Sequence, residues 1–539
     1  MLRITSIALL IATLLWPSIP AHAYSLQFTN SSAAVSLRWP ASTVTVAFSS
    51  SLYTPPSNIK PGSDVVGAAR RALARWSEAA DIDFIETSSD AQLLANDGVN
   101  LMTVATGNSF SSAEQPGRTR LSFNTATGAI IDADIAINPN VAARDASGQL
   151  APSFFSTDGT PGSYDLEATF VHEIGHLLGL EHSGVVGASM QPRQGRNSLY
   201  DLSGLTARTL ASDDRAGVRA IYGPTKGTGT IAGIISYAGG GGAAFGAHVW
   251  AEESTTGRVR GGNIALADGR YRIDGLPPGQ YRVIAEHLTQ PIAVSEIASR
   301  KGAYAGLDAT IIAPFVTTET TAPIAVAPNT STVFNINVLS GQQFVNPTLL
   351  GANDQLSTVA VPLVPGRTLT VLVGGENVHQ VPSGGISVTS PFVTVDQSSV
   401  TQQAFGATQV LRFNVTVDVA APPGEYSIRL QASFGQVAYL TGGLTVDLPG
   451  GMTHGMNPMR DDGVFIAQHY QKKMLLERVR HNSRASVIRA RRPALFIADD
   501  HKSHERIVRQ REFVDPPHLN ETKARAAILD WKWPRALVG

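Results

Sequence analysis

At 539 residues the chain is too long for a single core, and with domains of about 100 to 200 residues it should hold three or four. Its 42 Lys and Arg against 43 Asp and Glu leave a net charge of −1, which excludes a whole-chain nucleic-acid binder or a polyanion. Cysteine is absent, which excludes disulfide scaffolds, thiolate zinc sites, a cysteine nucleophile and any latency device that parks a cysteine on a metal, while 50 Gly and 31 Pro indicate a turn-rich, largely β chain.

The first element is Arg3, an apolar run from Ile4 to Trp16, Pro17 and the small-x-small tripeptide Ala21-His22-Ala23. This pattern is that of a secretory signal peptide over 1–23, too short in its apolar run for the ~20 residues of a spanning helix. No later stretch is long and apolar enough to act as a transmembrane anchor, so a secreted, extracellular protein is expected. The lack of cysteine in an exported chain inclines the source toward bacteria.

Residues 24–224 alternate strands with a few helices, an α+β layout. Val65, Val66, Ala69, Leu73, Trp76 and Ala80 recur at helical spacing after Ser63-Asp64, which predicts an amphipathic core helix. Strands are predicted at Thr43 to Phe48, Ile82 to Ile85, Asn100 to Val104 and Ala129 to Ile137. From about Thr225 short strands and turn signals such as Asp268-Gly269 and Pro422-Pro423-Gly424 take over, predicting two all-β sandwich domains over 225–340 and 341–448. Alternation of Leu411, Phe413, Val415, Val417 and Val419 predicts a half-buried strand. The stretch 449–539 is a basic tail, holding 17 of the 42 Lys and Arg against 10 acids from Gly451 on, and is expected to be poorly ordered.

The chemistry concentrates in HEIGHLLGLEH at 172–182. His172 and His176 lie one helical turn apart and can point both imidazoles at one ion, with Glu173 beside them placed to reach a water without ligating the metal. Gly179 allows the chain to leave the helix and bring His182 in as a third ligand. Three neutral imidazoles leave a fourth zinc position open, as in a catalytic rather than a structural site. Between Tyr24 and Pro224 these are the only histidines.

This motif resembles that of the metzincin zinc endopeptidases, and within them the matrixins. Ser183 follows the third histidine, and Ala188-Ser189-Met190-Gln191-Pro192 resembles the matrixin Met-turn. LRWPASTVTVAF, ARRALARW, GAIIDADIAIN and LASDDRAGVRAIYG extend the likeness over 35–223. The resemblance implies one catalytic zinc on His172, His176 and His182, Glu173 as general base, and supporting roles for Gly179, Met190 and Pro192. It also implies a substrate lying antiparallel to an edge strand at about Ala129 to Ile137, with Ile131, Asp132, Ala133 and Asp134 at its centre, and a loop from Arg193 to Arg208 that shapes the pocket beyond the cut bond. No histidine occurs from 101 to 171, so the second, structural zinc of animal matrixins is not expected. Asp132 and Asp134 are candidate calcium ligands, against the commoner solvated or paired state of alternate acids.

The second domain resembles the carboxypeptidase regulatory-like β-sandwiches and the third an immunoglobulin-like module, suited to binding cell-surface or matrix components. The expected activity is hydrolysis of internal peptide bonds in extended protein substrates, with residues 24–224 sufficient for folding and cleavage. The alternative is an extracellular binding protein with an inactive protease domain.

Overall fold

The computed structural model describes residues 24–29, 35–105, 110–144, 149–202, 207–288, 291–297, 313–447 and 527–530. The signal segment 1–23 and the tail 449–539, apart from 527–530, lie outside the described residues. The described residues belong to one compact unit, 1–455 with 525–539.

The first third is a twisted sheet backed by helices. Strands β1 (Thr43–Ser49), β2 (Asp83–Ser89), β3 (Leu101–Val104), β4 (Gly117–Phe123) and β5 (Ile130–Ile137) take the order β2-β1-β3-β5-β4. All pairings are parallel except β4 with β5, which is antiparallel. The short helix α1 (Ser50–Tyr53) precedes α2 (Val65–Ala79), whose Asp64 side chain caps the first turn by accepting from the Gly67 N–H at 3.0 Å. Val65, Ala69, Leu73 and Trp76 form its buried stripe, as the spacing predicts. Helix α3 (Leu166–Leu177) is buried along its whole length, and the Trp76 indole N–H donates to the Val171 carbonyl at 2.9 Å, locking α2 onto it. Helix α4 (Ser212–Tyr222) closes this region.

One expectation is corrected here. The strand holding Ile131, Asp132, Ala133 and Asp134 is β5, which pairs with β3 on one side and β4 on the other. β4 takes up one side of this strand over most of its length and β3 the other from Ile135 to Ile137, so it is not the sheet's edge. The edge is β4, and along its outer side the strand Ala527–Asp530 pairs antiparallel with Arg120–Phe123.

The remainder is β-rich. Strands between Gly229 and Ser340 make two five-stranded sheets, and those between Asn346 and Val446 make a five-stranded and a four-stranded sheet. Leu411, Phe413, Val415 and Val417 face the core as expected, but the strand ends at Val417 and Val419 is 81% exposed in the turn beyond it. One cluster of buried apolar side chains runs from Tyr24 and Val218 through Ile231 and Tyr271 to Leu350 and Tyr426. The core of the first third is therefore continuous with that of the β region.

Candidate active site

Helix α3 is fixed at both ends. Its first turn is capped by Asp165, which accepts from the Ala168 N–H at 3.0 Å and pairs with Arg208 at 2.8 Å. Its last turn closes by two reversed hydrogen bonds, Gly179 N–H to the His176 carbonyl and Leu180 N–H to the Gly175 carbonyl, at 2.9 and 3.0 Å. Gly179 sits at φ +94°, and a β-carbon there would also meet the Leu37 carbonyl oxygen at 2.4 Å. Only glycine satisfies both conditions, and the turn it permits returns His182 toward the helix.

The three imidazoles converge. Ring centroids lie 4.8, 5.3 and 4.9 Å apart for His172–His176, His172–His182 and His176–His182, and one ligand nitrogen from each lies within 4.8 Å of the others. Each Nδ1 faces a backbone carbonyl: Ser189 for His172 at 2.8 Å, Leu180 for His176 at 2.9 Å, Glu296 for His182 at 2.6 Å. Donation from Nδ1 fixes the tautomer that carries its lone pair on Nε2. The Nε2 atoms of His172 and His176 are 3.1 Å apart, against ~3.3 Å for two nitrogens on a tetrahedral zinc with bonds of about 2.0 Å. Burial pushes all three rings toward the neutral form, His172 down to about 4, His182 down to about 3 and His176 well below the ordinary value. Neutral, pre-oriented nitrogens with carbonyl partners behind them are the donor set that zinc requires, so the residues fit the metal.

Glu173 is buried beside them. Its Oε2 accepts from the Thr119 hydroxyl at 2.7 Å, and the same hydroxyl lies 2.9 Å from the Glu173 carbonyl oxygen. Thr119 is on β4, so the sheet edge and the carboxylate are in direct contact. Two residues earlier Gly117 lets them approach, since a β-carbon there would stand 2.6 Å from Glu173 Oε1. Met190 lies beneath α3 against Gly175, where a β-carbon would come within 2.2 Å of its sulfur. Pro192 is buried just beyond it.

Asp214 on α4 holds this turn in place. Its carboxylate accepts from the backbone N–H of Ser189, Met190 and Ala211 at 2.7, 3.1 and 2.8 Å. Asp213 accepts from the Ser183 hydroxyl at 2.5 Å and from the Gly262 N–H of the β region at 2.7 Å.

Further parts of the site come from outside the first third. The Glu296 carbonyl behind His182 belongs to the helical turn Val294–Ile297, and the Glu296 carboxylate pairs with Arg193, which also donates to the Pro291 carbonyl. Farther along the same loop, Tyr200 is buried at φ 63°. Its hydroxyl donates to the Val359 carbonyl at 2.6 Å, its N–H to Gln355 Oε1 at 2.9 Å, and its carbonyl accepts from Asn353 Nδ2 at 2.7 Å. The stretch expected to wall the pocket is thus clamped by both β regions.

Asp132 and Asp134 lie away from the imidazoles, with buried carboxylates turned to backbone donors. Asp132 accepts from Gly98 N–H at 2.9 Å, and Asp134 from Ala95 and Leu101 N–H at 2.8 and 3.0 Å. Their use is to hold the segment 95–101. Sequence reasoning missed the roles of Gly117, Thr119, Asp213, Asp214, Arg193 and Glu296, of which Arg193 and the Asp213-Asp214 pair stand inside stretches that the sequence singles out.

Three convergent neutral imidazoles with a buried carboxylate alongside define the metal-dependent hydrolase class. The family model described as Matrixin matches residues 38–223, about a third of the chain, and this segment, which holds the three histidines, is a matrixin domain. The chain is 29% identical over 195 residues to Metalloendoproteinase 1-MMP of Arabidopsis thaliana, covering 35% of this chain and 45% of that protein. It is 44% identical over 64 residues to an interstitial collagenase of Oryctolagus cuniculus, covering 12% of each. The match thus spans less than half the length of these relatives. Among solved structures, a major pilin subunit of Bacillus cereus overlaps 39% of this chain and 66% of its own at 14% identity and a TM-score of 0.14, too slight to define a shared fold. Among the described residues no helix is long and apolar enough to cross a membrane.

Proposed function

We propose that the chain is a secreted, zinc-dependent metalloendopeptidase that hydrolyses internal peptide bonds of extended protein substrates. The observation that carries this reading is the convergence of His172, His176 and His182, each backed by a carbonyl, next to a carboxylate that touches the sheet edge. Zinc, when bound, supplies a Lewis acid for the scissile carbonyl and makes water a stronger acid. Glu173 takes a proton from the attacking water on its carboxylate and later delivers it to the leaving amine. The Thr119 hydroxyl holds Oε2 in place for both transfers. Met190 and the Asp214 bonds keep the floor under α3 from shifting.

An extended substrate would pair with the outer edge of β4, the strand whose Thr119 touches Glu173. Pairing of this kind uses main-chain hydrogen bonds and tolerates many sequences. The strand Ala527–Asp530 supports it, since it adds antiparallel to the same edge farther along. The β regions are proposed to be a carboxypeptidase regulatory-like domain over 225–340 and an immunoglobulin-like domain over 341–448, binding cell-surface or matrix components of a bacterial setting. Asp132 and Asp134 enter as struts of the 95–101 segment rather than as calcium ligands.

Glu173→Gln tests the reading. A lost general base typically costs about 10² to 10⁴ in rate, so a folded, zinc-loaded and nearly inert protein is expected in an assay on unfolded protein substrates. Wild-type turnover with zinc retained would end the proposal.

A further inference from the structure

A cavity of about 210 Å³ lies away from the zinc ligands, where α4 meets both β regions. Its wall carries four arginines. Arg215 and Arg219 stand one turn apart on the same face of α4, and Arg258 and Arg260 alternate onto one face of the strand segment at 258–260. The turn at Pro423–Glu425 and residues Val446 and Asp447 complete the lining.

Few of these charges are paired in contact. Arg215 and Arg219 spend their Nε groups on the Leu210 and Ala79 carbonyls, at 3.2 and 2.7 Å, and among the described residues neither has a carboxylate within ion-pair distance. Arg260 pairs with Glu253 at 2.8 Å. Arg258 feels the charges of Glu425 and Glu253 but makes no ion pair with either among the described residues, and its Nε is buried without a hydrogen-bond acceptor. The facing acids are Glu425 and Asp447, both pushed upward by burial, Glu425 to about 7, and Glu425 already accepts from the Ser212 N–H at 3.2 Å. Asp214, also nearby, is spent on three backbone N–H groups. Arginines gathered this way repel one another, and a buried N–H lacking an acceptor is costly. A bound anion removes both penalties.

We infer that this cavity is a binding site for a tetrahedral oxyanion, phosphate or sulfate, held by Arg258 and Arg215 with Arg219 and Arg260 around it. Guanidinium forks match the oxygens of such an ion in pairs, which an ammonium does not do. The volume is below the ~300 Å³ at which pockets for drug-sized ligands begin, so the occupant is a free ion or the terminal ester group of a larger molecule. Because the wall draws on α4 and both β regions, the ligand joins three parts of the chain and stabilises their docking. This inference stands apart from the proteolytic reading and holds whether or not Glu173 is catalytic.

The test is calorimetric titration of the intact protein with sodium phosphate and sodium sulfate at constant ionic strength, chloride being the control. Saturable binding of one equivalent with a dissociation constant of about 1 mM or tighter, and a rise in Tm with ligand, is the expected result. Arg258→Gln should weaken binding by about tenfold or more, the worth of a charge-assisted hydrogen bond, and Arg258→Gln with Arg215→Gln should abolish saturation. Glucose 6-phosphate and glucose 6-sulfate, titrated in parallel, separate a free ion from an ester group. A linear, unsaturated response to all four ligands overturns the site. So does wild-type affinity in Arg215→Gln and Arg258→Gln alike, and Arg215→Gln, whose side chain holds only one carbonyl, keeps the test open if Arg258→Gln fails to fold.

Discussion

Replacing Arg193 with alanine should weaken zinc binding, although Arg193 does not reach the metal. The guanidinium and the Glu296 carboxylate form a pair whose side chains are 13% and 6% exposed. Removing one partner of a buried pair commonly costs about 3–5 kcal/mol. Here the cost is limited because Glu296, already pushed upward by burial, can take up a proton once Arg193 is gone. What remains is the loss of the clamp on 291–297, and with it the carbonyl that orients His182. Losing a partner behind a metal-ligating histidine typically lowers affinity 10- to 100-fold, or about 1.4–2.7 kcal/mol. The assay is competition for zinc against a chelator of known affinity, with circular dichroism to show that the fold persists. Arg193→Lys, which restores the charge but not the fork, should recover part of the loss. A chain ending at Pro224, which lacks Glu296, should bind zinc at least as weakly as Arg193→Ala. Wild-type zinc affinity in both the alanine variant and the truncated chain would refute the argument.

Gly117→Ala places a methyl group against Glu173 Oε1, so turnover should fall by at least about tenfold while zinc content stays whole; unchanged kcat would show that the strand shifts instead. Burial pushes the Asp134 carboxyl up to about 7, so the folded chain holds that proton more tightly than the unfolded one. Its contribution to stability is full below about pH 4 and lost as pH rises through about 7. Asp134→Asn should flatten this fall when urea midpoints are compared at several pH values, and an unaltered slope would count against it.

The site was legible where its logic is local. The spacing of His172, Glu173, His176, Gly179 and His182 is a property of one helix and the turn after it, and a chain segment of eleven residues displays all of it. Asp64, Leu73 and Trp76 announced α2 in the same way. The rest depends on contacts between distant residues. Thr119 meets Glu173 across 54 positions and Glu296 meets His182 across 114, and no periodicity records either pairing. Strand β4 escaped notice because GRTRLSF lacks apolar alternation, as suits an edge, whereas the apolar run of β5 drew attention to a strand that lies inside the sheet.

Tyr200 bears on how such a chain can be rearranged. A tyrosine in left-handed backbone is strained by roughly 1–3 kcal/mol, and it is held there by Val359, Gln355 and Asn353 of the last β region. The backbone of this loop is therefore fixed partly by residues more than 150 positions downstream. Grafting the matrixin domain onto other partners would release that loop from these bonds, so the regions are not interchangeable parts.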